Sequence, residues 1–266
     1  MSLGLIIKAP EGLVLAAESR VTLTTSAPTG EQIHVNFDNA TKLLTFNSYR
    51  SIGVVTYGAA AIGVRTAHSF IPEFETNLNP EETLTVEQFA QRLSDFFMQQ
   101  WADAGMPGVP AYVGPDMTFN VAGYNPAEPY ARLYSFNIPR SPTPVEQSPG
   151  MDNFGITWGG QREIVDRLIM GYDPRLLAIA QNMGLLNPAQ IQALQANLAQ
   201  LQLSMPIQFM PLQDCVNLAL LFIRTTISAQ ELTVGLRGCG GPIDLAIITR
   251  TKPLTFIQQK EIIGES

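Results

Sequence analysis

The sequence is poor in charge, cysteine and histidine. Charged residues make up 15% of its 266 residues, against roughly 25% in a typical soluble domain. A surface with so little charge is more apolar than usual, which favours contact with partner subunits. The two cysteines, Cys215 and Cys239, lie far apart and outside any CxxC pattern, which argues against disulfides and against a zinc site. We expect a protein of a reducing compartment that needs no metal and no cofactor.

Basic stripes and long apolar runs are missing as well. The 16 basic and 23 acidic residues give a net charge of −7, so the electrostatic footprint of nucleic-acid binding is absent. The strongly apolar runs, such as 216–223, are too short to span a bilayer. Lys8, Glu11 and Glu18 interrupt the N-terminal segment, which therefore does not have the pattern of a signal peptide. We expect a cytoplasmic protein with no nucleic-acid or membrane partner.

Hydrophobic residues make up 45% of the chain, which is enough for a sizeable core, and strand and helix patterns come in separate blocks. Alternating apolar residues predict a β-hairpin over 3–17, with turn residues at 9–12. Thr85 and Gln88 form a capping-box pair that predicts a helix to about residue 104. Further strands are predicted at 42–46, 52–57, 118–122, 131–136, 154–158, 243–249 and 254–258, and further helices at about 164–169, 187–201 and 211–228.

Three segments carry weaker patterns. We interpret 24–39 and 137–150 as irregular, and we expect a helix to begin at the small residues 58–61. Blocks of strands followed by blocks of helices, without strict alternation, indicate an α+β fold with antiparallel sheets flanked by helices.

The start of the chain combines a nucleophile with a base. A small residue at position 2 permits removal of Met1, which leaves Ser2 with its own α-amine beside its hydroxyl. Such an amine titrates near about pH 7.7–8.0 and can take the hydroxyl proton without a histidine. If the hairpin turns near 10–11, residues whose numbers sum to about 20 or 21 lie opposite each other. Either Glu18 or Ser19 then faces Ser2.

Glu18 and Arg20 share one face of the second strand by its period of two. We expect an ion pair or a hydrogen-bond lattice near Ser2. The alternative is a solvated strand edge without a functional role.

The order of segments resembles that of proteasome β subunits. Residues 2–5 and 12–20 resemble, without a gap, the mature start of these subunits, in which a nucleophilic threonine precedes the pattern G-V-V-L-A-A-D/E-x-R. The stretches 161–169 and 233–236 resemble the bacterial proteasome-like Anbu proteins. The other similar segments, in the order of the family, are 39–43, 52–60, 119–124, 156–160 and 239–248.

This resemblance implies a four-layer αββα sandwich of the N-terminal-nucleophile (Ntn) hydrolases. It implies one domain over 1–266, with a helical insertion at about 173–206, assembled into a homo-oligomeric ring. The implied activity is that of a threonine/serine-type endopeptidase acting on peptides or unfolded proteins. An ATPase regulator is left open.

Seven residues are implied to form the site. Ser2 acts as nucleophile and base, and Glu18 orients Lys42, whose charge lowers the pKa of the reacting centre. The backbone N–H of Gly58 stabilises the oxyanion, and Thr22 holds an extended peptide by strand addition. The set comprises catalytic Ser2, Glu18, Lys42 and Gly58, substrate-binding Thr22, and supporting Arg20 and Cys239.

Three helper positions depart from the family pattern. The auxiliary serine falls on Gly159, and a downstream Asp and Ser fall on Leu236 and Cys239. A catalytically inactive assembly subunit is therefore an alternative function. An Ntn amidohydrolase of a small amide is another, because a fold does not determine its substrate.

The apolar stripe over 191–201 is interpreted as a packed helix face or as a subunit interface.

Overall fold

A computed structural model describes residues 2–79, 81–150, 152–235 and 237–264. Two of the positions discussed above, Met1 and Leu236, lie outside the described residues. The strands, in chain order, are β1 (Leu3–Ala9), β2 (Gly12–Glu18), β3 (Val21–Ser26), β4 (Gln32–Phe37), β5 (Leu43–Thr45), β6 (Ile52–Gly58), β7 (Met117–Gly123), β8 (Arg132–Ile138), β9 (Ser141–Glu146), β10 (Gly155–Gly160), β11 (Ile243–Ile248) and β12 (Thr255–Gln258). The α-helices are α1 (Ile71–Thr76), α2 (Val86–Asp103), α3 (Glu163–Met170), α4 (Arg175–Asn182), α5 (Pro188–Leu198) and α6 (Leu212–Glu231).

Two antiparallel sheets organise the chain. The first has the strand order β10-β1-β2-β11-β12, and the second has the order β5-β6-β7-β8-β9. A separate two-stranded ribbon is formed by β3 and β4. The first strand of the chain lies between β10 and β2, so the N-terminal end of β1 is held on both sides.

Three hydrophobic clusters hold the layers together. One lies between the two sheets and includes Ile6, Leu15 and Val55. A second joins the first sheet to α3 and α6, and a third joins the second sheet to α1 and α2. Because β1 and β2 are covered on both faces, all seven residues of each strand are buried. The antiparallel α+β architecture predicted from the order of the elements is confirmed.

The helical segment after α3 is different in character. Neither α4 nor α5 contains a buried residue, although α5 begins with a complete capping box formed by Asn187 and Gln190. The predicted stripe over 191–201 is thus not packed as a core face within the chain. Among the described residues, no helix combines the length and the apolarity that a bilayer crossing requires.

Several predicted elements are confirmed, and three segments differ from prediction. The hairpin of β1 and β2 and the capped helix α2 lie where their patterns indicate. The interpretation of 24–39 as irregular is wrong, because most of this segment belongs to the ribbon of β3 and β4. Apolar and polar residues alternate along β4. Within 137–150 the chain forms β9, which carries two prolines at the edge of the second sheet. No helix begins at 58–61; that segment runs in a loop to a short 3₁₀ helix at Ala67–Phe70.

We predict that the two capping boxes differ in their effect on global stability. Thr85→Ala removes the N-cap of α2, whose apolar face is part of the core, and should lower the free energy of unfolding by about 1 kcal/mol. Asn187→Ala removes the equivalent cap from α5, which has no fully buried residue, and should leave the main unfolding transition unchanged. Urea unfolding followed by tryptophan fluorescence measures both. Equal losses for the two variants would contradict the assignment of the 173–206 segment as an insertion outside the core.

Candidate active site

Ser2 lies at the entrance to β1 and is only 5% exposed. Its carbonyl oxygen accepts the N–H of Gln161 at 2.7 Å, which ties the chain start to the end of β10. The hairpin register pairs Gly4 with Ala17, so opposing residue numbers sum to 21. Continued by two residues, that register sets Ser19 opposite Ser2 and leaves Glu18 opposite Leu3.

Glu18 is fully buried at the end of β2, so its expected alternative role as a solvated strand edge is wrong. Its carboxylate accepts three backbone N–H groups, those of Leu3 at 3.2 Å, Arg20 at 2.7 Å and Gly240 at 2.9 Å. Such bonds to an ionised acceptor are stronger than neutral ones, and they offset the desolvation of the charge. They also fix the direction in which the carboxylate points.

Lys42 provides the opposite charge. Its ammonium donates to Glu18 Oε1 and to the carbonyl oxygen of Arg20, and the residue is 6% exposed. Burial lowers the pKa of Lys42, and the charge of Glu18 opposes this lowering. Ser2, Thr22 and Lys42 line one pocket of about 30 Å³. The structure therefore brings the implied nucleophile and the buried ion pair together.

Of the two arrangements expected near Ser2, the hydrogen-bond lattice is present: Arg20 donates its backbone N–H to Glu18, and the two side chains form no ion pair with each other. Its guanidinium binds Asp38 with two hydrogen bonds of 2.6 and 2.8 Å. This bidentate contact lowers the pKa of Asp38. The guanidinium also packs against Gly240, where a Cβ would lie 2.3 Å from Arg20 Cζ. Arg20 therefore connects the 237–241 loop with Asp38 at the end of the ribbon.

Gly58 ends β6 between Tyr57 and Ala59, which both line the pocket of Ser2. Its φ is +95°, and a Cβ would lie 2.0 Å from the carbonyl oxygen of Asp116. Both facts restrict this position to glycine. The geometry thus brings a backbone turn to the pocket at the position implied for the oxyanion contact.

Thr22 lies on β3 and donates its hydroxyl hydrogen to Asn36 Oδ1 at 2.9 Å. Within the described residues, β3 pairs with β4 on one side only. The small pocket of Ser2 adjoins an apolar pocket of about 680 Å³, with which it shares Val21, Ala40, Ala60 and Thr66. The two pockets therefore form one groove, which runs from Ser2 over the face of the ribbon that carries Val21, Leu23 and Phe37.

Of the three helper positions, the structure describes Gly159 and Cys239, and neither residue has a hydroxyl group. Cys239 is buried, and burial, together with the charge of Glu18, raises the pKa of its thiol. The Cys239 carbonyl oxygen accepts a 3.4 Å hydrogen bond from Arg20, so this residue lies beside the ion-pair network. At Gly159 a Cβ would lie 2.2 Å from the Tyr57 hydroxyl oxygen, so that space is already filled.

Sequence reasoning missed several residues that build this site. Asp38 and Gly240 were not singled out as partners of Arg20 and Glu18, because a partner distant in sequence leaves no local pattern. Gly160 was missed as well, although a Cβ there would lie 1.7 Å from the carbonyl oxygen of Ser2. Its φ of +91° requires glycine, and a Gly-Gly pair at a strand end is the signal that marks such a position.

Comparison with solved structures shows the class of fold. Three of the matched structures are Anbu proteins, and the chain shares their fold. At 15% identity these matches establish the fold, and the resemblance stated from the sequence is confirmed at that level. No protein-family model and no curated protein matches the chain.

The Anbu matches span nearly the whole chain. The Gly-1 mutant from Hyphomicrobium sp. strain MC1 has a TM-score of 0.55 and covers 100% of this chain and 89% of its own. Anbu from Yersinia bercovieri, described as an ancestral β-subunit, has 15% identity and a TM-score of 0.54, with 97% and 88% covered. The helical assembly of the Anbu complex from Pseudomonas aeruginosa has 15% identity and a TM-score of 0.58, with the same coverage.

We predict that Glu18 and Lys42 are strongly coupled in stability. Glu18→Gln or Lys42→Met alone leaves one buried charge without its partner and should cost about 3–5 kcal/mol of unfolding free energy. The double variant should cost clearly less than the sum of the two, because it leaves neither charge unpaired. A double-mutant cycle in urea measures this coupling.

The control is an exposed ion pair, Arg65 with Glu73. Glu73→Gln should cost about 1 kcal/mol or less, because solvent screens that pair. Additive losses at Glu18 and Lys42 would show that the buried contact is not the interaction that holds this end of the fold.

Proposed function

We propose that the chain is a proteasome-type peptidase subunit in which Ser2, exposed by removal of Met1, is the nucleophile. The observation that carries this proposal is the buried Glu18–Lys42 ion pair beside Ser2. Burial lowers the pKa of Lys42, which lines the pocket of Ser2, and charged groups with such shifted pKa values in a pocket are common at catalytic centres.

The reaction we propose has two steps. Ser2 Oγ attacks the scissile carbonyl carbon while the Ser2 amine takes the hydroxyl proton, and the carbonyl oxygen becomes an oxyanion. The amine then gives this proton to the leaving nitrogen, the C–N bond breaks, and an ester forms on Ser2. Water adds to this ester in the same way, and the released acid leaves Ser2 Oγ protonated.

Two groups are proposed to stabilise the charges. The backbone N–H of Gly58 donates to the oxyanion, a kind of contact worth about 3 kcal/mol of activation free energy in other enzymes. The Lys42 ammonium lowers the energy of negative charge on Ser2 Oγ, and its effect is strong because the site is buried. Glu18 contributes by holding Lys42 in place.

We propose that the substrate is an extended peptide. The edge of β3 that is unpaired among the described residues offers backbone groups for strand addition, and Thr22 lines the pocket of Ser2. The apolar pocket beyond it, which includes Leu23 and Phe37, fits an apolar side chain of that peptide. A small amide would use only the first part of this groove.

The complete architecture and assembly are also proposals. The three stacked clusters support the four-layer αββα sandwich, in one domain with the helical insertion at 173–206. Exposed apolar side chains on the ribbon, with Phe37 57% exposed, and the unburied α5 support assembly into a homo-oligomeric ring. One Anbu match is itself a helical assembly. An ATPase regulator stays a prediction from the sequence.

The second candidate is an inactive assembly subunit. It is favoured by Gly159 and by the buried thiol of Cys239, which replace hydroxyl groups of the family pattern. The two candidates differ in whether Ser2 reacts.

We predict that a peptide epoxyketone labels Ser2 in the Met-free protein. Ser2 Oγ adds to the ketone and the amine opens the epoxide, so the adduct retains the full mass of the probe and forms only if both groups are available. Intact-mass analysis detects it. Ser2→Ala should abolish labelling and leave assembly unchanged, because a methyl group replaces only the hydroxyl. Ser19→Ala, at the position opposite Ser2 in the hairpin register, is the control and should retain labelling.

An unlabelled, Met-free and folded wild type would reject the peptidase and favour the inactive subunit. Labelling combined with hydrolysis of small amides but of no peptide library would favour the amidohydrolase.

We predict that Gly160→Ala disrupts the reaction more than the fold. The Cβ of an alanine there would overlap the Ser2 carbonyl oxygen, so Ser2 must move. The rate of labelling should then fall by about a hundredfold, because a displacement of about 1 Å can reduce a reaction rate by that factor. Gly155→Ala, in the same strand, meets no atom closer than 4.0 Å and should label normally. Rates of adduct formation by mass spectrometry compare the two. Equal rates would show that the position of Ser2 does not depend on Gly160.

A further inference from the structure

Tyr57 fills a slot that two glycines leave open beside Ser2. Gly4 and Gly159 are paired between β1 and β10. A Cβ on Gly4 would lie 3.0 Å from Tyr57 Cδ1, and one on Gly159 would lie 2.2 Å from the Tyr57 hydroxyl oxygen. The aromatic ring therefore crosses β1 from the second sheet and ends with its hydroxyl against β10.

The hydroxyl reaches the same face of β1 as the Ser2 side chain. Side chains two residues apart on a strand point to one face, and Gly4 follows Ser2 by two. Tyr57 and Ser2 also line the same pocket. The space at Gly159, where a family helper serine would stand, thus holds a hydroxyl that comes from another strand.

Asn120 fixes the position of this hydroxyl. It lies on β7, next to β6, is fully buried, and donates from Nδ2 to the Tyr57 hydroxyl oxygen at 3.2 Å. Its own Oδ1 has no hydrogen-bond partner among the described residues. A buried amide with only half of its hydrogen-bonding groups satisfied lowers the stability of the fold. Such groups are rare in native proteins, and a functional contact is one reason why they are retained. Burial also raises the pKa of Tyr57, so the phenol stays protonated at neutral pH.

We propose that Tyr57 is a positioning residue, whose hydroxyl oxygen accepts a hydrogen bond from the α-amine of Ser2 and so directs the lone pair of the amine at Ser2 Oγ. This inference rests on the proposed function of Ser2. In this arrangement the Tyr57 hydroxyl on β6 takes the place of the serine hydroxyl that the family pattern has at position 159. Position 159 must then be glycine, because the phenol occupies the space of a side chain there.

The test uses three variants of the Met-free protein. Tyr57→Phe removes only the hydroxyl. Tyr49→Phe is the matched control, because it deletes a hydroxyl that is bonded to the carbonyl oxygens of Asn79 and Glu82 and lies outside the pocket. Tyr57→Ala/Gly159→Ser moves a hydroxyl to β10, and it is sterically allowed because the three atoms nearest to the Gly159 Cβ all belong to Tyr57.

The first readout is the rate of epoxyketone labelling, measured at a pH at which the amine is neutral. Tyr57→Phe should lower the maximal rate by about five- to tenfold, as the loss of one hydrogen bond does, and leave the half-saturating probe concentration unchanged. Tyr49→Phe should match the wild type, and the double variant should recover part of the rate. An unchanged maximal rate in Tyr57→Phe would overturn the proposal, whether or not the double variant folds.

The second readout does not need catalysis. The pH dependence of acetylation of the Ser2 amine gives the pKa of that amine. The charged groups near the pocket and near the Tyr57 phenol, which are Glu18, Lys42, Arg20, Asp38 and Arg162, remain the same in every variant. Tyr57→Phe should lower this pKa, because an acceptor for the ammonium is lost. If the wild type is never labelled but this pKa falls, the proposed function is wrong and the contact stands. If the pKa does not change, the contact does not exist.

Discussion

A single buried carboxylate, that of Glu18, joins segments that are far apart in the sequence. It accepts the N–H groups of Leu3, Arg20 and Gly240 and contacts the ammonium of Lys42. A buried charge is stable only when all its partners are in place. The carboxylate therefore requires four segments to lie side by side in the fold: the beginning of β1, the end of β2, the loop before β11 and the residues before β5. Through the N–H of Leu3, this carboxylate also holds the residue that follows Ser2.

The second constraint is that glycines stand where β1 and β10 pack beside Ser2. Gly4 and Gly159 together leave room for one ring, that of Tyr57, and Gly160 lets the carbonyl oxygen of Ser2 approach its backbone. Gly58 likewise permits the turn that ends β6. One buried phenol thus takes up the space in which the family pattern has a serine side chain.

Much of the fold was predictable because its signals are local. The hairpin of β1 and β2 follows from alternation and turn residues, and α2 follows from Thr85 and Gln88. The ribbon was missed although Ile33, Val35 and Phe37 alternate with polar residues, because the stretch 24–39 is mostly polar and contains Pro28 and Gly30, which are typical of loops. The edge strand β9 was missed because its prolines are typical of loops as well as of edges.

By itself the sequence determined the order of the elements and the α+β class, since periodicity and caps act within a few residues. Through its resemblance to a family it also pointed to Ser2, Glu18 and Lys42. Only the tertiary structure decided which charges meet: Arg20 binds Asp38 rather than Glu18, and Gly240 completes the shell of the carboxylate. Hydrogen bonds between residues more than 200 positions apart depend on how the sheets pack, and no local pattern encodes that packing.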